Sequence, residues 1–171
     1  MSDFRSTGIL PAEAFIETYP YKLPAGALFK HRDSWALRVE YGAKPTEYWF
    51  IFLQGARAGH LSVATQGIAR ALSISDGFTW FAVIESNDPA ASDALHTASL
   101  AIGELGPVIV AGDADGDHVA FRLNGEPWDD YRAHTAMARF DRWSIYLSLT
   151  ADPYRPLGQL CAVDRRRHRT A

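Results

Sequence analysis

Two groups of residues have types and spacings suited to chemistry. In Ala111-Gly112-Asp113-Ala114-Asp115-Gly116-Asp117-His118, the carboxylates of Asp113, Asp115 and Asp117 alternate with small residues. Alternating carboxylates are how a loop wraps a hard cation such as calcium. An EF-hand-type loop counted from Asp113 would need glycine at its sixth position and a bidentate acid at its last, where this chain has His118 and Asn124. Aspartate and glycine are also what a tight turn demands, because they tolerate left-handed backbone and bond their own main chain. The stretch is therefore read as a hairpin tip, with a weak cation site as its lesser alternative.

The second group is a pair of carboxylate–imidazole couples, Asp93 with His96 and Asp130 with His134. On a helix, residues three or four apart share a face, so each couple can present two metal ligands or a base with its orienting acid. If both couples met in one cleft, the chain would be a small hydrolase or lyase, metal-assisted or working by acid–base chemistry. Against this, Asp129 and Asp130 fall in the first turn of the expected helix, where the helix dipole alone favours acids. On a helical wheel, Asp93 and Asp130 also point away from the apolar stripes, towards solvent. Three of the other histidines, His31, His60 and His118, have no serine or cysteine partner in a recognisable setting. There is no nucleophile elbow, phosphate-binding Gly-Lys loop or dinucleotide fingerprint. Cys161 reads as a small buried filler, and nothing in the sequence calls for a cofactor.

A third group suits binding. Tyr19 and Tyr21 flank Pro20, Tyr154 precedes Arg155, and Trp128 follows Pro127. Aromatic and arginine side chains in loops are typical interface anchors. The net charge is −3, and the segment from Asp164 to Ala171 contributes +3, leaving −6 on the remainder. An acidic body disfavours nucleic acid, whose binding rests on phosphate neutralisation, and suits a basic protein partner. No run of apolar residues is long enough for a membrane helix, and the first residues lack a signal-peptide pattern. With a single cysteine, the expectation is a cytoplasmic protein.

Residues 1–171 are expected to form one domain, with an irregular segment at 1–25 and a basic, disordered tail at 164–171. Pro11 is expected to open a short helix, and Tyr19–Gly26 to be extended. Trp35, Leu37 and Val39 alternate with polar or small residues, the period of a half-buried strand. Residues 48–53 are apolar on both faces, as in a central strand, and Leu61 and Val63 are expected to face inward. Asp76-Gly77 reads as a hairpin turn into a strand over 78–85. Pro89 then starts a helix with a stripe of Leu95, Ala98, Ile102 and Leu105, and Pro127 starts another with Trp128, Tyr131, Thr135 and Ala138. Trp143, Ile145, Leu147 and Leu149 mark a further strand.

The fold expected is α+β: a curved, mainly antiparallel sheet of roughly seven to nine strands, with two helices packed on one face. The sequence strand, Asp-Gly turn, strand, Pro-started helix occurs twice, consistent with a duplicated ββα unit. The function expected is a non-enzymatic protein-binding module of adaptor or immunity type. The alternatives are the hydrolase or lyase above and a carrier of a small apolar ligand.

Overall fold

Aromatic and β-branched residues crowd the segments that become regular, and these pack best on a pleated surface. The computed structural model describes residues 9–67, 69–85, 97–103, 106–128 and 138–164. The strands are β1 (Phe15–Thr18), β2 (Leu28–His31), β3 (Ser34–Val39), β4 (Glu47–Phe52), β5 (Leu61–Thr65), β6 (Ala71–Ile74) and β7 (Phe78–Ile84). After these come β8 (Leu100–Gly103), β9 (Gly106–Gly112), β10 (His118–Arg122), β11 (Ala138–Phe140), β12 (Arg142–Leu149) and β13 (Gly158–Asp164). Helical structure among the described residues is confined to two 3-10 turns, Ala12–Ala14 and Pro20–Lys22. None of it is long and apolar enough to cross a membrane.

The strands form three antiparallel sheets, in the orders β1-β6-β2-β3-β4-β5, β10-β9-β8-β11 and β13-β12-β7. One core collects side chains from all three. Leu37, Val39 and Ile51 come from the first sheet, Ile109 and Phe121 from the second, and Trp143 and Ile145 from the third, all fully buried. The first sheet also buries its opposite face, where Phe29, Tyr48, Phe50 and Phe52 pack edge-on and stacked. This explains why β4 is apolar on both sides. The first two sheets meet at a seam: Gly59 donates to Phe52 and accepts from Gly112, and His60 forms a parallel bridge with Gly112.

The α+β expectation is overturned, because the described parts of both expected helices are extended. Ala98 lies in a turn with φ +66°, and Leu100–Gly103 pairs with β9 through Gly103 and Gly106. The two glycines close a hairpin; they do not cap a helix. Leu100 and Ala101 are buried on opposite faces of the strand, so an apolar run that also fits helical spacing satisfies a sheet instead. Ala138, the last position of the second stripe, begins β11 and pairs with Ile102. The remaining stripe residues, Leu95, Leu105, Tyr131 and Thr135, lie outside the described residues.

The duplicated ββα unit falls with the helices. β9 and β10 form a paired hairpin, whereas β6 pairs with β1 and β2, and β7 pairs with β12. The Asp76-Gly77 turn therefore carries the chain from one sheet to another. Two smaller corrections concern the first sheet. The helix expected after Pro11 is a single 3-10 turn running into β1. Val63 is 46% exposed, because β5 extends beyond the core that buries Leu61.

Candidate functional site

The most distinctive feature is the outer edge of β7. In the antiparallel pairing with β12, Glu85 donates to Arg142 and Thr150 donates to Gly77. Paired residues that exchange hydrogen bonds alternate along such a ladder, so Thr79, Phe81 and Val83 direct their backbone groups at β12. The N–H and C=O groups of Trp80, Ala82 and Ile84 point the other way, and no strand pairs with them among the described residues. Folded proteins usually blunt such an edge with charge, proline or a bulge. Phe78–Ile84 has no charge and no proline, and its register with β12 is unbroken. Of the other edge strands, β1, β10, β11 and β13 each carry a charged residue, whereas β5, like β7, carries none; of these two, only β7 borders a cleft.

This edge borders an open cleft of about 1000 Å³. One wall is β7 from Phe78 to Ala82, and the other includes the segment from Leu23 to Leu28. Trp80 crosses between them, its indole N–H donating to the carbonyl of Gly26 at 3.0 Å. Leu123, Pro107 and Pro153 add apolar surface, and Tyr154, 82% exposed, stands at the rim. Among the described residues, Asp76 is the one charged residue in the lining. The surroundings are thus a largely apolar wall with Ser73, Ser75, Thr79, Asn124 and Thr150 in it, a row of backbone donors and acceptors that no described strand pairs with, and the Asp76 carboxylate.

The sequence-derived candidates are scattered. Tyr154 joins the cleft, and Arg155 follows it at the surface. The Tyr19 and Tyr21 rings meet tilted at 5.6 Å, with Lys22 5.2 Å from the Tyr19 ring and Arg70 on the same ring at 5.4 Å. They do not line the cleft. Trp128 is 5% exposed and packs on Val108, Val110 and Ala120, where its backbone N–H donates to Ala120.

Asp113 organises the tip of the β9–β10 hairpin. Its Oδ1 accepts the N–H groups of Asp115 and Asp117 at 3.0 and 2.9 Å, and Gly116 takes φ +86°. Among the described residues no three acids, histidines or cysteines gather as metal ligands would. Asp93, His96, Asp130 and His134 lie outside the described residues. Cys161 is buried in β13, and burial pushes its thiol pKa up to about 12, which keeps it protonated.

The β7 edge was not among the sequence-derived candidates. Its one local signal is an uncharged run, Phe78–Ile84, but a central strand looks the same. Comparison with known proteins adds no identity: no family model matches the chain, and no curated protein or solved structure is similar to it.

Proposed function

We propose that this chain is a protein-binding module that takes an extended segment of its partner as an added strand on β7. The observation that carries this reading is the uncharged edge of Trp80, Ala82 and Ile84, which no strand among the described residues pairs with, beside a largely apolar cleft. In strand addition, backbone hydrogen bonds supply affinity and pockets for alternate side chains supply specificity. Trp80, Ala82 and Ile84 each offer one donor and one acceptor to such a segment. The open shape of the cleft suits a peptide that enters and leaves along its length. Asp76 and the net charge of −3 favour a segment carrying lysine or arginine next to apolar residues. The expected setting is the cytoplasm, in an adaptor or immunity-type role.

The test is selection of a displayed random-peptide library on the full chain, followed by Ala82→Pro. Proline there removes an N–H that points away from β12, so the β7–β12 ladder keeps its hydrogen bonds. Selected peptides should alternate apolar residues with lysine or arginine. They should lose about tenfold or more in affinity for Ala82→Pro, while that variant still melts cooperatively. Selection of no peptide, or equal binding by the folded variant, would refute the proposal.

A further inference from the structure

A second site lies at the β2–β3 hairpin, apart from the β7 cleft and independent of it. His31 and Ser34 are paired across the turn, with Arg32 and Asp33 as its two central residues. The hairpin packs beside the 54–57 loop, and together they line a depression of about 220 Å³. At roughly 30 Å³ per water, this is room for a small hydrated anion. His31 stacks on Phe50 at 5.5 Å and meets Phe52 edge-on at 5.6 Å, and the Arg57 guanidinium sits 4.0 Å over the Phe52 ring.

Neither Arg32 nor Arg57 has a carboxylate partner among the described residues. Gln54 accepts the Trp35 N–H through Oε1, leaving its amide NH2 as a donor, and Ser34 adds a hydroxyl. Asp33 is the one acid in the lining among the described residues. A separate observation concerns the backbone of Arg32. Its φ of +55° is left-handed, a conformation that two-residue hairpins normally give to glycine or asparagine. A long cationic side chain held there at a conformational cost points to a use for its charge.

We propose that the depression formed by His31, Arg32, Ser34, Gln54 and Arg57 binds a phosphate group. Two forked guanidiniums with hydroxyl, amide and imidazole donors suit a tetrahedral dianion better than a planar carboxylate, which one fork would satisfy. The electrostatics agree with this assignment. Burial, then Arg32, then Arg57, hold the His31 pKa below its ordinary value. Asp33 is the nearby acid in the lining, and the rings of Phe50 and Phe52 on β4 carry no charge. A bound dianion would offset both arginines and draw a proton onto His31.

The test follows the His31 imidazole by NMR in the full chain. Inorganic phosphate, titrated against chloride at matched ionic strength, should give a saturable shift and raise the pH at which His31 titrates. Arg32→Gly and Arg57→Gln should each weaken binding about tenfold. Arg32→Gly should also melt at the same temperature or higher, because glycine accepts the left-handed turn without strain. Glycerol phosphate separates the two sources of the group: tighter binding than inorganic phosphate identifies an esterified ligand, and weaker binding identifies the free ion. Four results would each overturn the proposal: no saturable shift with either probe, acetate binding as well as phosphate, undiminished binding by Arg32→Gly, or a less stable Arg32→Gly.

Discussion

Replacing Gly59 with alanine probes the seam where the first two sheets join. Gly59 has φ +81°, and a Cβ built on it would lie 2.3 Å from the Ala98 nitrogen and 2.5 Å from the Thr97 carbonyl carbon. Both are backbone atoms, so no side chain can swing aside to make room. Gly77 is the matched control, with φ +86° and nothing within 4 Å of its added Cβ. Left-handed backbone costs an alanine about 1–2 kcal/mol, and the stiffer unfolded chain returns about 0.4–1 kcal/mol. Gly77→Ala should therefore lose about 1 kcal/mol. Gly59→Ala adds steric overlap of about 1–3 kcal/mol, for a total near 3 kcal/mol. For a domain of this size, with Tm moving about 2–4 °C per kcal/mol, the losses should be roughly 3 °C and roughly 10 °C. Calorimetry or circular dichroism melts of the two variants beside the parent give the comparison. Equal losses would mean that Gly59 does not meet residues 97 and 98 in solution, and the seam would be wrongly drawn.

Two further predictions concern the core. The thiol of Cys161 ionises near 9.0 when unfolded and near 12 when folded, so above pH 9 the unfolded chain binds fewer protons and stability falls. The loss at pH 10 is about 1.4 kcal/mol. It should appear as a fall in urea midpoint from about pH 8 to about pH 10 that exceeds the fall in Cys161→Ala by the equivalent of this energy. Buried Tyr48 and Tyr146, whose pKa values are also raised, act in both proteins. The same alkaline loss in both proteins would contradict it. Trp143→Phe removes the indole N–H that donates at 2.8 Å to the carbonyl of buried Ala98, which itself sits at φ +66°. It should cost about 1–3 kcal/mol by denaturant titration, and a loss under about 0.5 kcal/mol would show that the bond does not hold the turn.

What the sequence determined by itself was local. Alternation in Trp35–Val39 and Trp143–Leu147 marked β3 and β12, and two-sided apolarity marked β4 as central, because side-chain period and burial leave their imprint within a few residues. The aspartates and glycine at 113–117 marked the β9–β10 turn for the same reason, since turn chemistry is a property of the residues in the turn. Tertiary structure decided the rest. Ala98 and Ile102 fit a helical stripe on spacing alone, and pairing with β9 made Leu100–Gly103 a strand. Phe78–Ile84 carries no mark that distinguishes an edge from a centre; that depended on which strands came to lie beside it. The phosphate candidate needs Arg32 and Arg57 together, and they meet only because β3 pairs with β4 and brings their turns to the same end of the sheet. Strand neighbours are chosen by contacts between distant segments, so the residues of one segment cannot record them.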